Sequence, residues 1–189
     1  ENCVRGDKVQ CFPPELDSSP THQLHFLQAT LADPLLGDYR AVAFPRLQEA
    51  LEKHGLRDKW HLSPYYVLAL AVRPLAVLAP AFLREQLVSL IPEQCAGGGW
   101  GVGHAPTVEE TAWVCYALYQ ALDQDGLIQM GNAGALHAAL ERGVLFLIAH
   151  RDEPTPNLWI DKCLYTPQTI VDVTVDAVIY RYLTDQMPG

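Results

Sequence analysis

The sequence predicts an all-α protein, because capped helical segments follow one another along the chain with short breaks between them. A hydroxyl residue stands directly before Pro at Ser63-Pro64 and at Thr166-Pro167, which is typical of a helix start. Thr107-Val108-Glu109-Glu110 is a capping box, with Glu three residues after the capping Thr. Residues 171–178, VDVTVDAV, alternate Val with polar residues as a strand would, but the capped start and the length favour a helix. We predict no strand and seven helices, at 21–32, 44–54, 64–72, 77–90, 108–122, 133–149 and 168–183.

Several of these helices lack a charged face. The helix at 108–122 and the stretch 144–148 are apolar nearly all round, and such helices must be covered on both sides. Two concentric rings of helices provide that environment, since inner helices surround a central cavity and outer helices wrap around them. A simple bundle would show more one-sided apolar stripes. The expected architecture is therefore a partial α/α toroid, a double ring of helices.

Length and composition limit the classes of function. The 189 residues suffice for one domain, and we predict a single region, 1–189, in which residues 1–20 form an extended arm. The formal net charge is −9 and no basic run occurs, so no nucleic-acid partner is expected. The five Cys show no paired spacing, which favours reduced thiols in a cytoplasmic protein. Cys-x-x-Cys and His-x-x-x-His spacings are absent, so no structural metal site is predicted.

The most apolar stretch, residues 65–83, is interpreted as two helices joined at Pro74. Arg73 lies near its middle, and Pro74 and Pro80 interrupt it. A membrane-spanning helix needs about 20 uninterrupted apolar residues. No integral membrane association is therefore predicted.

Residues 94–113 form the most informative segment, QCAGGGWGVGHAPTVEETAW. Five glycines surround Trp100 and free the backbone for tight turns before the helix that follows Thr107. The segment lacks the Lys-Ser/Thr pair of a phosphate loop. Two interpretations stay open: a turn pinned by a buried Trp100, and a Trp100 that faces a cavity.

Three blocks of the sequence together resemble one enzyme family. Gly-Gly-Trp-Gly at 98–101, followed by Thr-Val-Glu-Glu-Thr-Ala-Trp at 107–113, is similar to the repeat of triterpene and diterpene cyclases. LWIDKCLYTP at 158–167 closely resembles a block near the end of copalyl-diphosphate-type cyclases, and Trp60 with Ser63-Pro64-Tyr65-Tyr66 lies in the right order upstream. The chain thus resembles the C-terminal part of the cyclising β domain of a class II diterpene cyclase. This resemblance implies an α/α barrel of the terpene cyclase and prenyltransferase type.

The resemblance implies protonation-initiated cyclisation of a polyprenyl diphosphate, with geranylgeranyl diphosphate as substrate and a bicyclic diphosphate as product. In this family the general acid is the middle Asp of an Asp-x-Asp-Asp motif. This sequence lacks the motif. Asp123-Gln124-Asp125 matches its first three positions, but Gly126 follows where the second Asp of the pair should stand. We assign no catalytic acid to this chain and expect it from an upstream segment or a companion chain. The ligands of the Mg²⁺ ion that the family implies are likewise not expected here.

Aromatic residues at helix-start loops are the expected lining of the substrate cavity. Their faces attract carbocations without acting as nucleophiles. The resemblance places Trp100, Trp159, Tyr165 and Tyr66 there, with His104 as a candidate acceptor of the final proton. Core packing is the alternative for each aromatic residue.

Charged residues near these aromatics have two interpretations each. Lys162 is the candidate contact of the diphosphate, and a Lys paired with Asp161 or Asp152 is the alternative. Glu109 and Glu110 are interpreted as first-turn acids that stabilise a helix start. Trp113 and Tyr116, in mid-helix, are predicted to be core residues.

Other functions were weighed against this resemblance. A farnesyl diphosphate cyclase that forms a drimane skeleton and a non-catalytic α/α-toroid interaction module both stay open. A protein prenyltransferase subunit would need a zinc site, and Cys163 with Asp161 has no suitable His nearby in sequence. A thioester domain would need a Gly-Cys-Gly-Glu-Gln block, which is missing.

Overall fold

The structure is a computed structural model that describes residues 4–5, 8–9, 19–103, 105–128, 130–160 and 167–187. These residues form seven α-helices. Their bounds are α1 Pro20–Ala32, α2 Gly37–His54, α3 Pro64–Leu78, α4 Pro80–Glu93, α5 Val108–Leu122, α6 Met130–His150 and α7 Gln168–Asp185. A 3-10 turn, Pro34–Leu36, joins α1 to α2.

Strand pairing is confined, in the part of the chain that the structure describes, to two short contacts. β1 (Val4–Arg5) and β2 (Lys8–Val9) pair antiparallel, and one isolated bridge joins His61 to Trp159. β1 and β2 lie within the predicted arm, whose other residues up to 18 are outside the described ranges. Pro20, predicted as the end of the arm, already begins α1. This short pair departs from the prediction of no strand, whereas the prediction of an all-α protein is confirmed.

The helices form two layers, and successive helices along the chain alternate between them. In one layer α3 packs against α1 and α5, and α5 packs against α7. In the other layer α2 lies on α1, α4 on α3 and α6 on α5, with α4 in contact with α6. Each consecutive pair of helices therefore crosses from one layer to the other, and the layers build an arc.

The predicted helix break at Pro74 is wrong. α3 runs through Pro74 to Leu78, and its separation from α4 falls at Ala79. A Pro inside a helix removes the hydrogen bond to the carbonyl four residues earlier, here Leu70 O. Gln28 Nε2 of α1 donates to Leu70 O at 2.8 Å, so a side chain from the neighbouring helix satisfies the carbonyl that Pro74 leaves unpaired. Even with this longer α3, no helix in the described ranges has the length and apolarity to cross a membrane.

The predicted caps at Ser63 and Thr107 are confirmed. Ser63 Oγ accepts from the N–H two residues later at 3.4 Å, and Thr107 Oγ1 accepts from Glu110 N–H at 3.1 Å. The second half of the capping box differs, because the Glu110 carboxylate accepts from Thr107 Oγ1 and from Val102 N–H. Thr107 N–H instead donates to Trp100 O at 3.0 Å. The start of α5 is thereby tied to the glycine-rich segment.

The core is centred on α5, of whose 15 residues 13 are buried. Burial raises the pKa of the Cys115 thiol above its ordinary range, as expected for a core residue. Gly143 of α6 faces this helix at very short range. A Cβ at Gly143 would lie 2.6 Å from Trp100 Cζ3 and 2.7 Å from Cys115 Sγ. Close approach of α6 to α5 therefore requires glycine at this position.

Gly143→Ala is expected to lower the free energy of unfolding by about 1 to 3 kcal/mol, the usual cost of overpacking a core. Gly134→Ala in the same helix is the matched control, because its Cβ would meet no atom within 4 Å. There the substitution should stabilise by about 0.5 to 1 kcal/mol, since Ala is the better helix former. Denaturant unfolding of both variants measures the difference, and equal free energies for the two would contradict the packing.

Asp58 ties the loop between α2 and α3 to the start of α1. Its carboxylate accepts hydrogen bonds from Ser19 Oγ, from the N–H of Thr21 at 3.1 Å and from the N–H of Trp60 at 2.8 Å. Burial alone would raise the pKa of Asp58, but these hydrogen bonds outweigh burial and hold the pKa below its ordinary value. Folding therefore favours the charged carboxylate.

Asp58→Asn should lower the free energy of unfolding by about 1 to 2 kcal/mol at neutral pH. Because the pKa of Asp58 is depressed in the folded state, its contribution is present above the unfolded-state pKa and disappears as the pH falls through the folded-state pKa. The difference in free energy of unfolding between wild type and variant should thus become smaller below about pH 4. Urea unfolding across this pH range measures it, and a gap that stays constant would show that the charge of Asp58 contributes nothing.

Candidate functional site

Tyr66 and Trp159, two of the predicted cavity residues, meet in one aromatic cluster. Their ring centroids lie 5.0 Å apart in an edge-to-face arrangement. The Tyr66 ring also lies 5.0 Å from Trp113 and 4.9 Å from the imidazole of His61. Trp159 and His61 are 4.7 Å apart. These four residues, His61, Tyr66, Trp113 and Trp159, are called the aromatic cluster below.

Backbone pairing brings the segment that carries Trp159 to the start of α3. Leu62 N–H donates to Leu158 O at 2.9 Å, and Ile160 N–H donates to Trp60 O at 3.0 Å. His61 lies in this paired segment, Tyr66 lies in the first turn of α3, and Trp113 lies in the second turn of α5, which packs against α3. The aromatic cluster is therefore assembled from segments far apart in sequence.

A buried carboxylate, Glu109, joins three of the four rings. Its Oε1 accepts hydrogen bonds from Trp159 Nε1 at 3.0 Å, from Trp113 Nε1 at 3.4 Å and from His61 Nε2 at 3.1 Å. Glu109 is only 1% exposed. It is the second residue of α5, where unpaired N–H groups and the helix dipole favour a negative charge. The helix start thus stabilises a carboxylate that could not otherwise be buried without cost.

Hydrogen bonds on both sides fix the imidazole of His61. Ser63 N–H donates to its Nδ1 at 3.1 Å, and its Nε2 faces Glu109. Its Nδ1 also lies 3.1 Å from Ser63 O, and the contact with the Glu109 carboxylate requires a proton on Nε2. The phenol of Tyr66 is neutral at physiological pH as in any tyrosine, and burial, together with the charges of Asp58 and Glu109, raises its pKa further, to about 12. The aromatic cluster therefore presents rings and no phenolate.

Trp100 lies in the core and not in the aromatic cluster. Its side chain is 0% exposed, and its Nε1 donates to Leu90 O at 2.9 Å. Its backbone N–H donates to Thr111 Oγ1 at 2.9 Å. Gly98 has φ of +93°, and a Cβ there would lie 2.6 Å from Arg142 O, so the loop turns inward only with glycine. The structure thus gives Trp100 the pinned-turn role of the two that the sequence left open.

Three predicted site residues, His104, Lys162 and Tyr165, lie outside the described residues. Their contacts with substrate therefore stay predictions. In the ranges that the structure describes, no three His, Cys, Asp or Glu side chains are arranged to hold a metal ion. The Mg²⁺ that the resemblance implies likewise stays a prediction.

Sequence reasoning missed the centre of this site. Its placement of Glu109 in a first turn and of Trp113 in the core is confirmed, but it did not single out His61 or predict that the three side chains meet. The core prediction for Tyr116 is wrong, because that residue is 37% exposed. The spacing of Glu109 and Trp113, four residues apart on one helix face, was a local signal of their hydrogen bond. The other two donors lie 48 and 50 residues from Glu109, and such long-range partners leave no local pattern.

The comparisons with known proteins agree on one family, although no protein-family model matches the chain. The copalyl diphosphate synthase of Streptomyces cyslabdanicus is 32% identical over 187 residues, covering 92% of this chain and 34% of that protein. The terpentedienyl-diphosphate synthase of Kitasatospora griseola is 38% identical over 136 residues, covering 66% of this chain and 26% of that protein. Among solved structures, ent-copalyl diphosphate synthase from Streptomyces platensis gives a TM-score of 0.71 at 26% identity, covering 94% of this chain and 36% of that one. The chain belongs to the class II diterpene cyclases.

The architecture of a class II diterpene cyclase agrees with the layers described above. The structural likeness confirms the α/α toroid that the doubly apolar helices predicted. The chain spans about a third of the length of the curated relatives it matches. The family is thus known for this arc of helices, while the activity, substrate and partners of the whole protein are proposals.

Replacing Trp100 and Trp159 separately by Phe tests where each indole lies. Trp100→Phe removes the hydrogen bond to Leu90 O and leaves a void in the core, so we expect a loss of about 2 to 4 kcal/mol in the free energy of unfolding. Trp159 is only partly buried. Its replacement should cost about 1 to 2 kcal/mol, mainly the hydrogen bond to Glu109. Denaturant unfolding compares the two variants, and a larger loss for Trp159→Phe would contradict the core position of Trp100.

Proposed function

We propose that this chain is part of a class II terpene cyclase that converts a polyprenyl diphosphate, most favourably geranylgeranyl diphosphate, into a bicyclic diphosphate. The names of the relatives from Streptomyces cyslabdanicus and Kitasatospora griseola specify diphosphate products. The reaction is an isomerisation: a proton adds to the terminal alkene, two ring bonds form at the expense of two double bonds, and a proton leaves the final cation. The diphosphate stays attached throughout.

The aromatic cluster is the observation that carries this proposal. A carbocation needs negative potential close by, but no group that can bond to it. Ring faces supply such potential through cation–π attraction, worth about 2 kcal/mol or more where water is excluded. Tyr66 and Trp159 are partly exposed at the edge of the cluster, whereas His61 and Trp113 are buried behind them. The exposed edge is the surface that a substrate chain would contact.

The neutral phenol of Tyr66 fits the same chemistry. A phenolate beside a carbocation would attack it and end the reaction early. Burial and the nearby carboxylates raise the pKa of Tyr66 to about 12, so the neutral form is kept. The cluster thereby offers an electron-rich surface without a strong nucleophile.

The proton donor belongs, on this proposal, to an upstream segment or a companion chain that carries the Asp-x-Asp-Asp motif. The same part would hold Mg²⁺, whose chemistry is to neutralise and orient the diphosphate. Within this chain, Lys162 follows Trp159 by three residues and would bind a diphosphate oxygen, with Tyr165 beside the substrate chain. His104, next to the glycine-rich turn, would accept the final proton. We place the reaction in the cytoplasm, because the odd number of cysteines suits a reducing compartment.

A reconstitution assay tests the proposal. Residues 1–189 alone should give no bicyclic product from geranylgeranyl diphosphate, since the chain lacks the general acid. The same chain combined with the segment that carries the Asp-x-Asp-Asp motif should give one, identified by mass spectrometry after removal of the diphosphate.

Three other outcomes of this assay would contradict the proposal in distinct ways. Turnover by the lone chain would mean that another acid donates the proton. A clear preference for farnesyl diphosphate would indicate the drimane-forming alternative. Absence of product from both substrates, with a folded complex, would favour the non-catalytic interaction module.

A further inference from the structure

Two buried carboxylates stand next to each other at the start of α5, but their partners differ. Glu110 is 2% exposed, and its oxygens accept from Thr107 Oγ1 and from Val102 N–H. The Glu110 carboxylate therefore ties the capping Thr107 to the glycine-rich turn. Glu109 is 1% exposed, and the donors to its Oε1 in the part of the chain that the structure describes are all ring N–H groups. Capping does not account for Glu109.

Burial of a carboxylate among aromatic rings is costly, and the described contacts include no Lys or Arg to balance it. Within the described residues, the partners of Glu109 are two indoles and the imidazole of His61, whose Nδ1 lies 3.1 Å from both the backbone N and the O of Ser63. An apolar side chain here would leave three buried ring N–H groups without an acceptor. Three donors on one oxygen favour a charged acceptor, and the position of that acceptor decides which way the rings face.

We propose that Glu109 is a positioning residue that places a negative charge directly behind the aromatic cluster and sets the orientation of its rings. This inference rests on the proposed cyclase function. Three N–H groups converging on one oxygen hold Trp113, Trp159 and His61 by their polar edges, so their carbon faces are turned away from the carboxylate. Each hydrogen bond to an anion also polarises the donor ring and makes its face more electron-rich. The rings meanwhile stand between the carboxylate and a substrate cation, so that the charge attracts the cation without bonding to it.

The substitution pair Glu109→Gln and Glu110→Gln separates this role from burial and helix capping. Both positions lie in the first turn of α5, both are buried, and both variants lose one negative charge. Only Glu109→Gln removes charge from the ring donors. In the reconstituted enzyme, we expect Glu109→Gln to lower kcat roughly tenfold to thirtyfold and to change KM less than about twofold. The effect falls on kcat because the negative charge interacts mainly with the cationic transition state. Early-quenched or hydroxylated products should increase.

Glu110→Gln should keep kcat and the product distribution within about twofold of wild type, even if its melting temperature falls. Glu109→Asp supplies the second comparison, because it keeps the charge and shortens the side chain by one methylene. It should retain more activity than Glu109→Gln. Equal losses in Glu109→Asp and Glu109→Gln, or equal losses in Glu109→Gln and Glu110→Gln, would overturn the inference.

NMR spectra of residues 1–189, recorded without substrate, test the positioning role of Glu109 independently of the proposed cyclase function. The indole N–H resonances of Trp113 and Trp159 should both shift in Glu109→Gln and stay in place in Glu110→Gln, because a carboxylate deshields the protons that it accepts. Unshifted resonances in Glu109→Gln would overturn the positioning role whatever the activity. Shifted resonances in a reconstituted enzyme that forms no product would instead mean that the proposed function has failed. An active enzyme in which Glu109→Gln keeps wild-type kcat and products would reject the inference and leave the proposed function standing.

Discussion

The structure depends on the enclosure of α5. This helix is apolar on nearly all sides, and 13 of its 15 residues are buried, so it needs neighbours all round. α3, α6 and α7 each pack against it, and the other helices are arranged around those contacts. α6 approaches most closely where Gly143 meets Trp100 and Cys115, which is why a glycine stands inside an otherwise regular helix. A two-layer arc follows from the requirement that one apolar helix be covered on both sides.

The polar end of α5 connects this packing requirement to the candidate site. The first residues of a helix carry unpaired N–H groups and a partial positive charge, so two acids at 109 and 110 are tolerated there in spite of burial. One acid turns back and holds the glycine-rich turn through Val102. The other points to the rings of His61, Trp113 and Trp159. A single helix start thus fixes both the pinned Trp100 turn and the aromatic cluster.

The features that the sequence predicted well depend on local chemistry. The caps at Ser63 and Thr107 and the existence of seven helices follow from residues within one turn of each other. The features it missed depend on distant partners. The sequence predicts a helix break at Pro74, but Gln28 donates to Leu70 O, 42 residues along the chain, and compensates for the hydrogen bond that Pro74 cannot make. Glu109 was explained by its helix position alone, although donors 48 and 50 residues away define its surroundings.

The aromatic cluster also shows why cyclase chemistry would not be a property of this arc of helices alone. Cation–π attraction and the effect of a buried charge both weaken in water, because a high dielectric screens them. Glu109, His61 and Trp113 are already shielded, whereas Tyr66 and Trp159 keep a partly exposed edge. On the proposed function, the surface that must be dry during the reaction is therefore the surface that the described residues leave open. On the same proposal, closing that edge and delivering a proton to the substrate would both fall to the segment or companion chain that carries the Asp-x-Asp-Asp motif. Acid and aromatic cluster would then come together only when the toroid is complete, so that a cation is never formed where water can reach it.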